Sequence, residues 1–306
     1  MSAPEPLLVS VPSESWVRAV GPVDGAHLLV WDGTGTPPDP APALVVPPYV
    51  ATPDLTAVAS CPAVEAVQLM TIGFDGVPGQ LPERIALLNA AGVHEASTAE
   101  LAVALAISRL RGVDDDARAM GEGRWAPSRR SALADRRVLV VGFGGVGRAV
   151  AARLAPFEVE VTAVASRARV QDGVPVHAAA DLPALLPGHD VVVLACPLTE
   201  VTRGLVDARF LAAMPDGALL VNVARGPVVD TAALLAEART GRITAALDVT
   251  DPEPLPADHE LWRTPGVLVT PHVGGNTTAF RPRMVRLLRE QVRRRLAGEG
   301  WLNAVR

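Results

Sequence analysis

From residue 137 onward the chain repeats one arrangement. Short, nearly unbroken apolar runs alternate with stretches of helical periodicity. Strands are predicted at 137–143 (RVLVVGF), 160–166 (EVTAVAS), 174–179, 190–197 (DVVVLACP), 218–224 (ALLVNVA), 245–249 and 266–273 (GVLVTPHV). Helices fit 146–155, 181–186, 207–213 and 230–240. Strands without polar alternation have both faces buried, and their alternation with helices predicts a parallel sheet covered on both sides. Residues 1–99 are patterned more weakly: apolar runs at 27–33, 43–50, 63–73 and 90–97 are split by Pro and Gly and suggest a smaller α/β domain. Residues 97–112 form an almost continuously apolar helix, for which Ser97 and Glu100 supply a capping-box pattern. The segment 112–136 reads as a polar, irregular surface excursion. The last helix, 279–298, carries an apolar stripe of Met284, Leu287, Leu288, Val292 and Leu296, with seven arginines mostly off that stripe.

Composition narrows the picture. The chain has 306 residues, 49% of them apolar, enough for two domains with sizeable cores. Its net charge of −5 argues against general affinity for nucleic acid. All 28 Lys and Arg positions are arginine. The lack of lysine excludes Schiff-base chemistry and a Walker-type phosphate loop. Two cysteines, Cys61 and Cys196, are too few for a disulfide framework, and no Cys/His spacing recommends a metal site. With no apolar run of membrane-spanning length and no basic signal-peptide start, a cytoplasmic protein without a membrane partner is expected.

The first chemistry-bearing feature is Gly142-Phe143-Gly144-Gly145-Val146-Gly147, which fits GxGxxG. The hexapeptide is weak by itself. A strand before it, a helix after it and a second strand ending at Ser166 make it a dinucleotide turn. Gly142 permits the tight turn, Gly144 lets backbone approach a pyrophosphate, and Gly147 lets helix and strand pack closely. The helix start, with the amides of Gly145 and Val146, offers positive potential to the phosphates. Where such a unit usually ends its second strand in Asp or Glu, this chain has Ser166-Arg167-Ala168-Arg169. A carboxylate there would bind the ribose 2′-hydroxyl and repel a 2′-phosphate. Ser166 and Arg167 reverse both effects, which predicts NADP(H) as the preferred cofactor, with NAD as the alternative.

Three further segments follow strands: VNVARGPVVD (221–230), ALDVTDPEPLP (246–256) and VTPHVGGNT (269–277). They bring Arg225, Glu253 and His272 to strand ends, where ligands bind in open α/β sheets. Reduction of a 2-oxo acid needs a cation for the anionic substrate, an acid to protonate the carbonyl oxygen and a carboxylate to support that acid. In this order, and at this distance from the glycine turn, the segments resemble the D-isomer-specific 2-hydroxyacid dehydrogenase family. PLTEVTRGLVD (197–207) and the closing GEGWLNAVR (298–306) resemble it too. The similarity runs from about residue 65 to the end and is strongest over 137–277.

The resemblance implies an α/β protein of two Rossmann-like domains with parallel sheets. A flavodoxin-like substrate-binding domain would comprise 1–97 and 273–306, and a dinucleotide-binding domain would comprise 98–272, with two crossing helices as hinges. It implies that His272 is the acid/base, Glu253 its partner, and Arg225 the group holding the substrate carboxylate or carbonyl. Asp248 and Thr98 would sit near the nicotinamide. Cys196, Pro197, Thr202 and Val223 would line the cofactor, and the amides of Ile72 and Gly73 would grip the substrate carboxylate. A homodimer is also implied. A basic residue after the second strand resembles the glyoxylate/hydroxypyruvate reductase branch, so reduction of such a 2-oxo acid to a D-2-hydroxy acid is expected. Two alternatives stay open: an NAD-dependent member acting on another acid, such as a formate or phosphoglycerate dehydrogenase, and a non-catalytic nucleotide-sensing scaffold like the C-terminal-binding-protein corepressors.

Overall fold

A computed structural model describes residues 5–50 and 52–305. The chain divides into two compact units, residues 1–94 with 278–306, and residues 95–277.

The first unit is built on a parallel five-stranded sheet. Its strands are β1 (Leu7–Val11), β2 (Ala26–Val30), β3 (Leu44–Val45), β4 (Ala66–Gln68) and β5 (Ala86–Leu88), in the spatial order β2-β1-β3-β4-β5. Helix α1 (Glu14–Val20), helix α2 (Thr56–Ser60) and the terminal helix Phe280–Leu296 belong to it. The terminal helix buries Met284, Leu288 and Val292. The expected stripe is shorter than its sequence pattern: Leu287 is only partly buried, and Leu296 is 46% exposed. Several of the arginines are paired. Arg289 donates to the Val20 carbonyl, Arg295 reaches Glu65, and Arg293 reaches Glu290 and Glu299.

The second unit carries the longer sheet. Its strands are β6 (Arg137–Val141), β7 (Glu160–Ala165), β8 (Arg169–Gln171), β9 (Val174–Ala178), β10 (Val191–Leu194), β11 (Leu219–Asn222), β12 (Thr244–Leu247) and β13 (Val267–Val269). The order is β13-β12-β11-β10-β6-β7-β9-β8. Helices α3 (Glu95–Arg111), α4 (Val113–Gly121), α5 (Gly145–Leu154), α6 (Leu182–Leu185), α7 (Ala208–Ala213) and α8 (Thr231–Thr240) complete it. Successive residues of one strand enter different cores. Val192 and Leu194 pack with Phe210, Leu211 and Leu234, whereas Val191 and Val193 pack with Ala102, Val103, Val150 and Leu154. Both faces of β10 are therefore dry, which is why its sequence is apolar without alternation.

Three expectations need correction. The sheet is not wholly parallel, because β8 pairs antiparallel with β9. Residues 112–136 are not irregular throughout, because Val113–Gly121 is helical, with Asp114, Asp115 and Asp116 in its first turn, where acidic side chains complement the helix dipole. Ser97 is not an N-cap. Helix α3 already starts at Glu95, and the Ser97 hydroxyl shares a 2.8 Å hydrogen bond with that of Thr277. That bond joins the first turn of α3 to the far end of the second unit, which runs from Glu95 to Thr277.

The terminal helix offers a direct check on burial. Leu288→Ala should lower stability by about 2–5 kcal/mol, as core leucines do. Leu296→Ala should stay within about 0.5 kcal/mol. Urea unfolding of the two variants measures the difference, and equal losses would contradict the packing described.

Candidate active site

Strands β6, β7 and β10 to β13 run in one direction, so their carboxyl ends form a single edge of the second unit. The glycine turn stands on β6. Gly142 has φ +99°, and a Cβ there would lie 2.6 Å from the Ala195 carbonyl. At Gly147 a Cβ would collide with the Gly142 carbonyl oxygen. These two glycines are required by the protein's own backbone. Gly144 is not: its φ of −85° suits any residue, and a Cβ would meet nothing within 4 Å. It stands exposed as the N-cap of α5, without a side-chain cap, followed by exposed Gly145 and half-buried Val146. The first amides of a helix have no intrahelical partner. An open cradle beside free amides fits a dinucleotide pyrophosphate.

Ser166 and Arg167 are exposed immediately after β7. Arg167 makes no side-chain hydrogen bond or ion pair among the described residues. Arg169 is used differently. Its guanidinium donates to the carbonyls of Phe143 and Arg167, at 3.2 and 3.1 Å, and to Gln171. It thus ties the β7–β8 loop to the glycine turn, while Arg148 on α5 holds Asp172 of the β8–β9 turn at 2.6 Å. Cys196 lies two residues beyond the end of β10, and its backbone packs against Gly142. Burial pushes its thiol up to about 11, so it is neutral at physiological pH and no nucleophile. Exposed Pro197 and half-buried Thr202 lie in the following loop, closed by a 2.6 Å bond from the Thr202 hydroxyl to the Pro197 carbonyl.

Arg225, Glu253 and His272 follow three adjacent strands, β11, β12 and β13. Buried Asn222 fixes the first loop: its amide donates to the Arg225 carbonyl and its carbonyl oxygen accepts the Ala224 amide, both at 3.0 Å. Val223 is buried beneath, and half-buried Arg225 donates to the Ala224 carbonyl. A Cβ on Gly226 would collide with the backbone of Thr250, so glycine lets the Arg225 loop lie against the loop after β12. Glu253 on that loop accepts a 2.5 Å hydrogen bond from Nδ1 of His272.

His272 has φ +51°, an uncommon conformation for a non-glycine residue. Asp248 holds it there. The Asp248 carbonyl accepts the His272 amide at 2.8 Å. Its buried carboxylate accepts the amides of Val273 and Gly274 at 2.9 Å and the Thr270 hydroxyl at 2.6 Å. Thr98 on α3 is buried close to Gly274, where a Cβ would come within 3.3 Å of it and 3.0 Å of the Asp248 carboxylate. The structure therefore brings Thr98, Asp248, Glu253 and His272 together. The Asp248 carboxylate, expected near the nicotinamide, is turned into the loop that carries the histidine.

Ile72 and Gly73 belong to the first unit, in the loop after β4. Their amides donate to no group among the described residues.

Asn222, Gly226, Asp248 as a clamp and Arg169 as a tie are not foreseen from the sequence. Signals exist for two of them: an Asn inside an otherwise apolar strand, and a Gly directly after the arginine.

A dinucleotide turn on the first strand, joined to an acid–imidazole pair and a cation on the last ones, defines a nicotinamide-dependent oxidoreductase. The family model "D-isomer specific 2-hydroxyacid dehydrogenase, NAD binding domain" matches residues 103–274. The chain belongs to that family. Glyoxylate reductase from Thermofilum pendens is 32% identical over 251 residues, which cover 78% of this chain and 74% of that one. A D-isomer specific 2-hydroxyacid dehydrogenase from Xanthobacter autotrophicus Py2, solved with NADPH and MES, is 31% identical with a TM-score of 0.80, covering 99% and 98% of the two chains. The NADPH-dependent glyoxylate/hydroxypyruvate reductase of Sinorhizobium meliloti, solved with NADP and sulfate, is 25% identical with a TM-score of 0.81, covering 98% of each.

Two experiments probe this geometry. Gly144→Ala should leave stability unchanged while raising KM for the cofactor by about tenfold, a loss of ~1.4 kcal/mol in binding; Gly147→Ala should instead destabilise the fold. Thermal unfolding with steady-state kinetics separates the two, and a destabilised Gly144→Ala would contradict the open cradle. Asp248→Asn places an amide donor against the Gly274 or Val273 amide and should cost roughly 1–3 kcal/mol of stability, read by chemical unfolding.

Proposed function

We propose that the chain reduces short 2-oxo acids, with glyoxylate and hydroxypyruvate as the leading candidates, to D-2-hydroxy acids, and that it prefers NADPH to NADH. The observation that carries the chemistry is the 2.5 Å contact between Glu253 and Nδ1 of His272 at the carboxyl edge of the sheet. Cofactor choice rests on Ser166 and Arg167 standing exposed where a ribose-binding carboxylate would exclude a 2′-phosphate. The names of the relatives support the substrate class.

The dinucleotide would be held by the turn Gly142–Gly147, by Ser166 and Arg167 at its 2′-phosphate, and by Cys196, Pro197, Thr202, Val223 and Thr98 along its length. When bound, its nicotinamide supplies hydride to the substrate carbonyl carbon. The protein's own part is proton transfer and positioning. His272 donates a proton to the carbonyl oxygen as that oxygen gains negative charge. Glu253 fixes the imidazole ring through Nδ1, leaving Nε2 to act, and offsets the charge of the imidazolium. Arg225 neutralises the anionic substrate, and Asp248 holds the His272 loop for the acid's approach. The Ile72 and Gly73 amides suit the substrate carboxylate. In this reading residues 1–97 and 273–306 serve the substrate, and 98–272 serve the cofactor.

The protein is further proposed to act in the cytoplasm as a homodimer. Val113, Met120 and Trp125, on and just after α4, are 51%, 78% and 94% exposed, an apolar surface suited to a second copy.

Absorbance of NADPH with a panel of 2-oxo acids tests the activity, and absence of turnover on every acid would overturn it. Wild type should use NADPH more efficiently than NADH, and Arg167→Ala should lower kcat/KM for NADPH by about tenfold with little change for NADH. Equal use of both cofactors by the wild type would overturn the preference.

A further inference from the structure

The backbone of the loop Thr71-Ile72-Gly73-Phe74 makes its hydrogen bonds through its carbonyl groups. The Thr71 carbonyl accepts the Ala90 amide at 2.9 Å. The Ile72 carbonyl accepts Nδ2 of Asn89 at 3.0 Å, and the Gly73 carbonyl accepts the Thr71 hydroxyl at 2.7 Å. In a planar trans peptide, each carbonyl points opposite to the next residue's N–H. The Thr71 and Ile72 carbonyls, turned toward residues 89–90, therefore turn the amides of Ile72 and Gly73 the other way, and the Gly73 carbonyl, held within the loop by the Thr71 hydroxyl, turns the Phe74 amide away from that hydroxyl. None of those three amides has a partner among the described residues. Successive free amides form an anion cradle.

The anchor is itself held by a buried chain of side-chain amides. Oδ1 of Asn89 accepts the Ala91 amide at 3.2 Å, so Nδ2 is the end that faces Ile72. Gln68, fully buried, donates to the carbonyls of Asn89 and Leu69. Gln291, also fully buried, donates to Oε1 of Gln68 at 2.7 Å. Gln291 in turn clasps both backbone groups of Leu302, and the Asn89 amide donates to the Asn303 carbonyl. Asn303 adds a bond from its side chain to the Ala91 carbonyl. Both polar ends of Gln68, Gln291 and Asn89 are matched, which is the condition for burying them without a large cost.

We infer that Asn89 is a positioning residue for substrate-carboxylate binding, and that the buried relay Gln68–Gln291 with the terminal segment Leu302–Asn303 holds it in place. This inference rests on the proposed function, because the anion is taken to be the carboxylate of the 2-oxo acid. Asn89 does not touch the substrate. It sets which side of the loop presents N–H groups.

Asn89→Asp keeps the shape and the acceptor for Ala91 but removes the donor to Ile72. KM for the 2-oxo acid should rise by about tenfold, with kcat and KM for NADPH within about twofold of wild type. Hydrogen exchange of the 70–74 segment in the free protein should quicken, while exchange in β6 and β10 should not. Thr71→Val, which keeps the side-chain shape and releases the Gly73 carbonyl, should show the same pattern more weakly, and it serves if Asn89→Asp does not fold. Unchanged KM for the 2-oxo acid in an active, folded variant overturns the inference and leaves the proposed function standing. Equal losses in kcat and in KM for both substrates also overturn it, because they mark general damage. A wild type inactive on every 2-oxo acid overturns the proposed function and the inference with it. In that case quickened exchange at 70–74 would still establish Asn89 as the anchor of the loop.

Discussion

The second unit depends on one constraint: strands that are apolar on both faces must run parallel beneath helices on both sides. Burying Val191 and Val193 on one face and Val192 and Leu194 on the other leaves no polar face on β10 for water. Parallel strands need long crossovers, and helices supply them. All the parallel strands then end at the same edge, where the backbone leaves the hydrogen-bonded ladder and becomes available for chemistry. The glycine turn, Cys196, Arg225, the Glu253 loop and His272 share a location for this reason.

Such an edge creates a second problem, because loops leaving a dry sheet carry polar backbone groups into partly buried surroundings. The chain solves it with short polar side chains that bond to backbone. Asn222 holds the Arg225 loop, Asp248 holds the His272 loop, and Asn89 and Gln68 do the same within the first unit. Glycine completes the arrangement where backbones nearly touch, at Gly142 against Ala195 and Gly226 against Thr250. The side chains proposed to react are few, and several polar side chains near them bond to the loops that carry them.

Much of this was legible in the sequence because its signals are local. Strand after strand was marked by an unbroken apolar run, and helices α5, α7 and α8 lie within a residue or so of their periodic patterns. The glycine turn, Glu253 and His272 stood in recognisable order. Non-local facts were hidden. Nothing near Asp248 says that its carboxylate accepts bonds from residues 22 to 26 positions later. Nor does the capping-box spacing at Ser97 reveal that its hydroxyl faces Thr277, which is 180 residues away in sequence. The antiparallel strand β8 escaped because three residues, two of them exposed, leave no hydrophobic period to read.

The segment Ser166–Arg169 shows how structure divides work that sequence leaves undivided. Arg167 and Arg169 are identical side chains two positions apart, and either alone could face a ribose phosphate. Arg169 stands at the first residue of β8, and its pairing with β9 commits its backbone and turns its guanidinium onto the Phe143 and Arg167 carbonyls. That donor fork is largely occupied by the scaffold, with Gln171 taking a third bond. Arg167 lies in the loop before β8 with its backbone carbonyl tied and its side chain in solvent. An anchored backbone limits where the free guanidinium can travel, which reduces the entropy lost when it meets an anion. One arginine is thus committed to the scaffold, and the other keeps its guanidinium free.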